Sequence, residues 1–484
     1  MSPANPTAAS SLIDYLETME SEGQIELWHT EGNEPFMTVE IGNHKENWRL
    51  QSETIRLRLS EISYNVNGRP LTDNALKDVL SHLKSKAIFT GPQYSHSYRV
   101  ARHNGSIYID IGDTDWQSIR VSQDGWEVIK NCPVRFSRTK HTRALPYPEK
   151  SSGYEILSKY LNVSEYKDLL LAFAFTVQCF LPEGPYPVFS LSGEQGSAKT
   201  SFARIIVSLT DPKAAPLRPL PNNERDLMID ATTNQVLAFD NISYIKASMS
   251  DALCRISSGG GFSTRALYTD NEPMIFEAQR PIILTGITEA ARRSDLVDRT
   301  VSVELKPIRP EKRLSESHLE ASLYRDRPQM LGAILDMISG YLREIDNVQV
   351  ENPPRMIDFA KTGEAIARTL GLAEGTFIEA YNSSQIGANE NIVDGSPVGE
   401  TVRILIRNEE SWVGTAQQLL YKLIGNSLEG PDRSPGWPKN AAKLSSILRE
   451  IAPSFRSEGI NVEFDTPKRR QITLSKITDI SDTM

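Results

Sequence analysis

The stretch from Pro187 to Thr200 constrains this chain more than any other. An apolar, strand-like run ends in a turn with two glycines, and a lysine–threonine pair then opens a helix-like segment. The letters read G-x-x-x-x-A-K-T, one residue away from the phosphate-binding pattern G-x-x-x-x-G-K-[ST]. We therefore predict a strand, a loop that binds nucleotide phosphates, and a helix. The residues predicted to form this loop are Gly193, Glu194, Gln195, Gly196, Ser197, Ala198, Lys199, Thr200 and Ser201.

The chemistry of the motif assigns a role to each key position. Gly193 and Gly196 let the backbone turn so that successive N–H groups point at phosphate oxygens, and the following helix adds its positive end. Lys199 is expected to reach the β- and γ-phosphates of ATP, and the Thr200 hydroxyl is expected to bind Mg²⁺. Ala198 replaces the last glycine, which the motif tolerates if this residue has helical backbone angles. The alternative is a chance glycine-rich turn beside a surface lysine.

A second motif follows about 40 residues after the lysine–threonine pair. The strand-like run 235–239 contains four apolar residues and ends at Asp240, which is followed by Asn241. In nucleotide-hydrolysing sites, a carboxylate at the carboxyl end of a buried parallel strand binds Mg²⁺ directly or through water. We therefore predict Asp240 as a metal ligand. The acid that activates water is left open between Asp240, Glu194 and an acid elsewhere.

Length and composition bound the remaining possibilities. A chain of 484 residues is too long for one core, so about two to four domains are expected. The net charge of −9 excludes a uniformly basic nucleic-acid coat but leaves local basic patches open. Three widely spaced cysteines form no C-x-x-C pair, which fits a reducing cytoplasm and no zinc site. A polar N-terminus and a longest apolar run of residues 169–181 predict a cytoplasmic protein that does not enter membranes.

Residues 1–150 are predicted to form a small α+β domain. Thr72 is placed to cap an amphipathic helix over residues 73–86. Asn104-Gly105 and Asp124-Gly125 are turn pairs between strand-like runs, and together they predict a β-meander. A basic stretch with one aromatic residue follows at 135–143. It has two open interpretations, a contact with nucleic-acid backbone or a solvated connector.

Residues 253–305 contain a dense series of further signals. The pattern predicts a helix, a glycine hinge at 259–261, two strands joined near residues 269–273, and a buried strand at 282–285. Asp298 and Arg299 then precede a last strand at residues 300–305. We assign residues 151–312 to one α/β core that contains both nucleotide motifs.

The residues from Gly193 to Leu305 resemble the ATPase core of superfamily-3 helicases, within the AAA+ class. The similarity is closest to the helicase modules of phage, plasmid and poxvirus-type primase–helicases, and it covers residues 155–310. The resemblance implies an AAA+ type αβα fold with a five-stranded parallel sheet, and a hexameric ring that binds ATP and Mg²⁺ between subunits. It also implies a hairpin at Phe262–Gln279 that tracks single-stranded DNA, with Arg265 as its only obvious cation.

The same resemblance assigns further site residues. Arg299 lies at the arginine-finger position, from which it acts on ATP bound to the neighbouring subunit; the alternative is a salt bridge to a nearby carboxylate. The sensor-1 position, usually an asparagine, falls on Thr285 or Thr288. The residues predicted to take part in catalysis are Lys199, Asp240, Asn241, Thr285 and Arg299.

Beyond the core, the sequence predicts a helical, lid-like region over residues 313–384 and a linker over 385–398. Residues 399–484 are predicted to form a winged-helix-like domain with three helices and a basic hairpin. The DNA-contacting side chains predicted there are Lys439 and Lys443 on the third helix and Lys468, Arg469 and Arg470 in the wing. The alternative is a winged helix that docks a protein and has a solvated wing.

These predictions combine into one preferred function and two alternatives. The preferred function is an ATP-dependent DNA helicase for a prophage or mobile element, a homohexamer on single-stranded or forked DNA with a separate primase or other replication partner. The second is an AAA+ ATPase that assembles on DNA or a protein without unwinding, such as an initiator, a loader or an anti-phage ATPase. The acidic turn at residues 268–272 favours this second function. The third is a nucleotide-binding protein with slow hydrolysis, suggested by Asn241 and Thr285.

Overall fold

The computed structural model describes residues 7–150, 153–260, 262–265, 273–276, 278–286, 293–426, 436–465 and 471–477. The chain divides into two compact units. Unit 1 comprises Met1–Glu149, Phe180–Pro182 and Ser208–Ala215, and unit 2 comprises Lys150–Cys179, Glu183–Val207 and Pro216–Met484. Unit 1 therefore combines the N-terminal segment with two short pieces from later in the sequence.

Unit 1 is an α+β structure. Its helices are α1 (Ala8–Ser21), α2 (Glu53–Asn67) and α3 (Asp73–Phe89). One antiparallel sheet has the order β1 (Ile25–His29), β2 (Pro35–Ile41) and β3 (His44–Arg49). The other is a meander in the order β4 (Val100–His103), β5 (Ser106–Asp110), β6 (Ser118–Ser122) and β7 (Gly125–Ile129).

Local sequence explains where these elements begin and turn. The Thr72 hydroxyl accepts a hydrogen bond from the N–H of Ala75, so the predicted cap of α3 is confirmed. Asn104 and Gly105 have φ of 48° and 74°, the left-handed values that a type I′ turn requires between β4 and β5. The helices and the first sheet bury one apolar core, formed by Leu12, Leu16, Ile25, Leu27, Met37, Val39, Leu50, Ile55, Leu59, Leu76, Val79, Leu80, Leu83 and Ala87.

A buried ion pair joins the last of the short segments to the rest of unit 1. Arg99 and Asp211 are each 1% exposed, and Arg99 Nε donates to Asp211 Oδ1 over 3.2 Å. The other guanidinium nitrogens donate to backbone carbonyls, among them those of Asp110 (2.9 Å) and Arg143 (3.1 Å). Lys213 Nζ lies 3.3 Å from the same carboxylate, and burial lowers the pKa of Lys213. Asp211 therefore faces two cations away from solvent.

Unit 2 is built on a parallel sheet with helices around it. Its first strands are β8 (Val188–Gly193), β9 (Leu237–Ile242), β10 (Phe262–Arg265), β11 (Pro273–Phe276), β12 (Ile282–Gly286) and β13 (Thr300–Leu305). The parallel sheet has the order β13-β8-β12-β9, and β10 pairs with β11 in a separate antiparallel hairpin. The helices are α4 (Glu155–Ser158), α5 (Tyr166–Gln178), α6 (Lys199–Thr210), α7 (Glu224–Thr233), α8 (Ala247–Ser258) and α9 (Ser294–Val297). The predicted α/β core with a parallel sheet is confirmed.

The parallel sheet has four strands in the described residues, one fewer than the resemblance implies. On the outer side of β9, Arg218 makes a single parallel bridge to Phe239. Its N–H donates to the carbonyl of Ala238 (3.2 Å), and its carbonyl accepts from the N–H of Asp240 (2.9 Å). Positions 212, 216, 219 and 221 are prolines, which lack the N–H groups that a strand ladder needs. The expected fifth strand is therefore reduced to one bridge.

A helical region and a C-terminal domain complete unit 2. The helical region contains α10 (Glu316–Glu344), α11 (Ile357–Thr369) and α12 (Thr376–Asp394), with 3-10 turns at Pro310–Lys312 and Ile345–Asn347. The C-terminal elements are α13 (Pro397–Glu409), β14 (Ser411–Thr415), α14 (Ala416–Asn426), α15 (Ala441–Ser457), β15 (Ile460–Phe464) and β16 (Gln471–Lys476). The three strands form an antiparallel sheet in the order β14-β16-β15, which lies with the helices α13, α14 and α15 in one C-terminal domain. Where the structure describes helices, none is long and apolar enough to cross a bilayer.

The predicted linker at residues 385–398 is wrong, because α12 and α13 cover all but two of its positions. Gln385 Nε2 donates to the carbonyl of Thr300 over 2.6 Å. Ile392 and Val393 are 7% and 0% exposed and pack into the core of the C-terminal domain. These contacts hold the segment as a helix, although its glycine and asparagine residues favour a loop.

Replacing Asp211 with alanine is expected to lower the free energy of unfolding of unit 1 by about 3–5 kcal/mol, because Arg99 stays buried without its counter-charge. Urea unfolding followed by circular dichroism measures this loss. The matched control is Glu127→Ala, which breaks the exposed Arg120–Glu127 pair and is expected to cost about 1 kcal/mol or less. Equal losses in the two variants contradict the structural role of the buried pair.

Candidate functional site

The phosphate-binding pattern lies between β8 and α6, at the carboxyl end of the parallel sheet. Gly193 and Gly196 have φ of 138° and 83°, values that side chains rarely permit. A Cβ atom on Gly193 would also overlap the carbonyl oxygen of Leu305 in the neighbouring strand β13. Helix α6 begins at Lys199, so its positive end faces the loop. The backbone therefore follows the path that the motif requires.

Ala198 does not meet the condition under which the motif tolerates an alanine at this position. Its φ is 65°, in the left-handed region, and is therefore not helical. This conformation costs an L-residue about 1–2 kcal/mol. The loop keeps the backbone path that suits a glycine, and Ala198 bears the resulting strain immediately before Lys199.

The ammonium group of Lys199 is held by the loop itself. Its Nζ donates to the carbonyls of Gly193 (2.6 Å) and Glu194 (2.8 Å) and lies 3.4 Å from Oγ of Ser197. Ser197 is fully buried, and its hydroxyl donates to the same Glu194 carbonyl over 2.9 Å. The positive charge of the lysine is therefore fixed against the glycine-rich turn, where the motif expects a phosphate.

Two hydroxyl groups converge on one oxygen of Asp240. Thr200 Oγ1 donates to Asp240 Oδ1 over 3.0 Å, and Thr285 Oγ1 donates to the same oxygen. Thr285 is 1% exposed, and its hydroxyl accepts a hydrogen bond from the N–H of Asn241 over 3.2 Å. Strand β12 lies between β8 and β9, so the helix after β8 and the end of β12 both approach the end of β9. The structure thus brings Thr200, Asp240 and Thr285 together.

The chain turns at Asn241, directly after this carboxylate. Asn241 has φ of 57°, a left-handed value that asparagine tolerates better than most residues. At the same place the pairing of β9 with β12 shifts register between Leu284 and Gly286. A Cβ atom on Gly286 would overlap the carbonyl oxygen of Ile242. The backbone conformation alone therefore favours an asparagine at position 241, independently of any role of its side chain in the site.

A cavity of about 780 Å³ opens beside these groups. It is lined by Gly193, Glu194, Gln195, Lys199, Thr200, Asp240, Asn241, Thr285, Gly286 and Glu304. Glu304 was not identified from the sequence, because it alternates with buried residues on β13 and so resembles an ordinary exposed position. Only the parallel pairing of β13 with β8, which sets Glu304 opposite Ser192, brings this carboxylate to the cavity.

The segment after β13 crosses the loop and was also missed. The N–H of Ile308 donates to the carbonyl of Gly196 over 3.1 Å. Asn162 Nδ2 donates to the carbonyl of Ser197 over 3.0 Å. A guanidinium nitrogen of Arg313 lies 3.4 Å from where a Cβ atom on Gly196 would stand. Neither Asn162 nor Arg313 belongs to a recognisable pattern, so no sequence signal pointed to them.

Arg299 is paired within its own chain. Its Nη1 donates to the carbonyl (2.8 Å) and to Oδ1 (2.6 Å) of Asp295, and its side chain is 15% exposed. Arg355 also binds Asp295 (2.9 Å) and reaches Asp298 (3.0 Å). Although burial acts to raise it, the pKa of Asp295 is lowered by the hydrogen bond and charge of Arg299. This arrangement corresponds to the salt-bridge alternative for Arg299.

The structure describes only some of the predicted DNA-contacting residues. Arg265 lies in β10 of the predicted hairpin, and the connecting residues 266–272 are outside the described ranges. Lys439 and Lys443 are exposed at the start of α15. The predicted wing residues, 468–470, fall between β15 and β16 and are also outside those ranges, as is Thr288.

Ala198→Gly is expected to raise the free energy of unfolding of the full chain by about 1 kcal/mol, because glycine adopts the left-handed φ without a steric penalty. The control is Ala203→Gly in α6, which is expected to lower it by about 1 kcal/mol or more, since residue 203 is helical and buried. Urea unfolding measures both variants. A loss of stability in Ala198→Gly contradicts the strain assigned to this position.

Two solved structures are similar to the chain at low identity. The A form of the apo C-terminal region of NrS-1 is 10% identical with a TM-score of 0.42, and the match covers 98% of this chain and 100% of that chain. JCV helicase with a bound acetamide compound is 13% identical with a TM-score of 0.23, and the match covers 49% of this chain and 73% of that chain. Comparison with curated proteins gave no match.

Family models match two consecutive parts of the chain. Residues 155–387 match the model of the actinomycete integrative conjugative element replication protein, AICE RepA. Residues 398–482 match the model of the AICE RepA C-terminal domain. The two models describe parts of one kind of protein and follow each other in the expected order. Over these residues the chain is therefore similar to the RepA replication proteins of actinomycete integrative conjugative elements, the family that the comparisons support.

Proposed function

We propose that the chain is an ATP-driven DNA motor of the superfamily-3 helicase type that replicates a mobile genetic element. The observation that carries the proposal is the convergence of Thr200 and Thr285 on Asp240, beside the loop that holds Lys199. Nucleotide hydrolysis needs metal-binding oxygens next to donors for phosphate, and these residues supply both. The similarity to RepA replication proteins supports DNA as the partner.

The residues around the cavity fit ATP and Mg²⁺. Magnesium prefers oxygen ligands, and Thr200 and Asp240 offer a hydroxyl and a carboxylate oxygen 3.0 Å apart. A bound magnesium ion neutralises charge that develops on the phosphates. A cavity of about 780 Å³ is also within the range of small-ligand sites. We assign Thr200 and Asp240 to the metal, and Lys199 with the N–H groups of Gly193–Ser201 to the phosphates.

Thr285 and Lys199 have distinct parts in this proposal. Thr285 donates to Asp240 and accepts from the N–H of Asn241, so it fixes the direction of the carboxylate. Lys199 exchanges the loop carbonyls for phosphate oxygens. Carbonyl oxygens and phosphate oxygens are both hydrogen-bond acceptors. The ammonium group of Lys199 therefore stays hydrogen-bonded as it moves from one to the other. In this proposal, neither Thr285 nor Lys199 loses all of its hydrogen-bond partners when nucleotide binds.

Glu194 and Glu304 are the candidates for activating the attacking water. Asp240 is less suitable, because one of its oxygens already accepts two hydroxyl protons and the residue is assigned to the metal. The other two carboxylates line the cavity, and neither forms an ion pair with a residue in the described ranges. Glu304 stands on a strand of the central sheet, whereas Glu194 belongs to the loop. Rigid elements hold catalytic groups better than loops, which favours Glu304.

A ring assembly is proposed because Arg299 is not among the described residues that line the cavity of its own chain. In a ring, its guanidinium would meet the γ-phosphate held by a neighbouring copy. Fingers of this kind contribute about 10³–10⁵ in rate. Asp295 is 48% exposed and keeps Arg355 as a partner, so it does not lose all counter-charge when Arg299 moves.

DNA contacts are proposed for the hairpin and for the C-terminal domain. Arg265 lies on the hairpin strand β10. Lys439 and Lys443 flank the N-terminal end of α15, where exposed cations and the helix end both attract phosphate. The basic residues 468–470 connect β15 to β16 and supply the wing in this proposal.

A second candidate function is an ATPase that assembles on DNA or a partner without unwinding. The observation that favours it is the pairing of Arg299 with Asp295 inside one chain, an arrangement that is complete without a neighbouring copy. In this case nucleotide binding changes the assembly, and hydrolysis resets it. Strand displacement separates the two functions.

We expect the wild-type protein to hydrolyse ATP, faster with single-stranded DNA, and to displace a strand from a forked duplex. Lys199→Ala removes the phosphate contact and is expected to abolish nucleotide binding, whereas Asp240→Asn is expected to lower turnover by at least about 100-fold. The control is Lys246→Ala, an exposed lysine of the same core that does not line the cavity. ATP turnover without strand displacement supports the second candidate function. ATP turnover at the wild-type rate in Lys199→Ala contradicts the assignment of the nucleotide site.

Arg299→Ala is expected to bind ATP normally and to hydrolyse it at least about 10³-fold more slowly. Mixing it with Lys199→Ala tests whether the arginine acts between subunits. A mixed ring contains interfaces with an intact loop on one side and an intact Arg299 on the other, so some ATPase activity should return. Arg293→Ala, which breaks an exposed pair with Asp251, is the matched control and should stay active. No recovery in demonstrably mixed oligomers argues against the finger.

A further inference from the structure

Unit 1 contains a cavity that the proposed function does not use. Its volume is about 340 Å³, and both antiparallel sheets and the segment after β7 contribute to its wall. Thr38 and Asn47 of the first sheet and Ser118 of the second are buried in this wall. Lys45 and Lys130 also line the cavity and are exposed to solvent. The buried polar wall and the exposed lysines together make this a candidate binding site.

Asn47 offers donors that the protein leaves unused. The Thr38 hydroxyl oxygen accepts hydrogen bonds from Trp28 Nε1 (2.9 Å) and Arg135 Nη1 (2.8 Å), so its single proton goes to Asn47 Oδ1 (2.7 Å). This chain of bonds fixes the orientation of the amide. Asn47 is 7% exposed, and no residue in the described ranges accepts from its Nδ2. The two N–H groups of Asn47 are therefore available to an acceptor in the cavity.

The other charges around the cavity are satisfied, apart from those of the two lysines. Arg135 pairs with Glu26 (2.7 Å), and its guanidinium lies over a tyrosine ring at 4.0 Å. The Asp110 carboxylate accepts two hydrogen bonds from Arg138, of 2.9 and 2.6 Å. Lys45 and Lys130 make no ion pair with a described residue. Arg135 and Arg138 of the basic stretch at residues 135–143 are therefore paired within unit 1. The two lysines leave the cavity with a net positive charge.

Backbone strain lies at the same wall. Trp116 lines the cavity and has φ of 51°, a left-handed value that is unfavourable for a bulky aromatic residue. Its conformation is fixed by the following residue, Gln117, whose N–H donates to Asp113 Oδ1 (2.9 Å) and whose carbonyl accepts from the N–H of Ile111 (3.1 Å). Arg138 covers the ring at 4.0 Å. Strain of this kind persists where the surroundings enforce it, often at binding sites.

We propose that this cavity binds one nucleotide unit, a nucleobase together with its phosphate. The buried donors of Asn47 suit the carbonyl acceptors of a base, and the exposed lysines suit a phosphate. Trp116, Val134 and Phe136 add aromatic and apolar surface to the lining, which suits a flat ring. A volume of about 340 Å³ is at the lower end for ligand sites and accommodates a single unit. The nucleotide comes either from free solution or from single-stranded DNA.

Two probes distinguish these sources, both applied to full-length protein carrying Lys199→Ala so that the first cavity does not compete. Thymidine 5′-monophosphate, measured by calorimetry, tests free nucleotide, since thymine has two carbonyl acceptors. An oligothymidine with one 5-iododeoxyuridine, cross-linked by light and mapped by peptide, tests the strand. The variants are Lys45→Ala with Lys130→Ala, and Asn47→Asp. The charge-matched control is Arg69→Ala with Lys77→Ala, two exposed cations of unit 1 outside the cavity.

The double-lysine variant and Asn47→Asp are each expected to weaken binding on the order of tenfold or more, since each loses hydrogen bonds to a charged or buried group. The control is expected to bind as before. Binding of the monophosphate supports the free source. Cross-links in peptides containing Trp116 or residues 130–136, without monophosphate binding, support the strand. If neither probe binds there, or if the control weakens as much as the double-lysine variant, the proposal is wrong. The double-lysine variant alters only exposed side chains, so it tests nucleotide binding by this cavity even if Asn47→Asp fails to fold.

Discussion

The candidate nucleotide site depends on one constraint, the position of the Asp240 carboxylate at the carboxyl edge of the parallel sheet. Thr285 donates to it from β12, the strand next to β9. Thr200 donates to it from α6, the helix that follows β8 on the other side of β12. Both approaches follow from the strand order β13-β8-β12-β9. Because β12 is buried from Ile282 to Thr285, its register is fixed by packing on both faces, and a shift of one residue would turn the Thr285 hydroxyl away.

Strain accumulates at the same edge of the sheet. Ala198 and Asn241 both have left-handed φ, of 65° and 57°, and they stand directly beside Lys199 and Asp240. Each raises the energy of the folded chain, so the surrounding sheet has to enforce it. In unit 1, Trp116 repeats this pattern at the wall of the other cavity. The two cavities thus share a feature that neither the composition nor the periodicity of the chain requires.

The parts of the fold that could be predicted are those that local chemistry determines. The cap at Thr72, the turn at Asn104-Gly105 and the strand–loop–helix around Lys199 each follow from residues close in sequence. The closeness of Thr200 and Asp240 was also predictable, because parallel strands expose their carboxyl ends at one edge. Their roles in binding nucleotide and metal remain proposals.

The parts that could not be predicted depend on tertiary contacts. Glu304 reaches the cavity only through the pairing of β13 with β8. Asn162 contacts the loop only through a tertiary hydrogen bond to the carbonyl of Ser197. The linker prediction failed because burial of Ile392 and Val393 outweighs the loop preference of the residues around them. The fifth strand was expected from a resemblance, although the prolines that prevent it are visible in the sequence.

The helical region contributes to the electrostatics of the proposed finger. Arg355 precedes α11, outside the predicted core of residues 151–312, and its guanidinium binds both Asp295 and Asp298. Asp295 therefore has two arginine partners. If Arg299 leaves for a phosphate on a neighbouring copy, Asp295 remains paired with Arg355, and its half-exposed carboxylate is also solvated. Arg355 thus lowers the cost of releasing Arg299, and movement of the helical region would change that cost. In this proposal, the region predicted as a lid therefore also influences how readily Arg299 leaves Asp295.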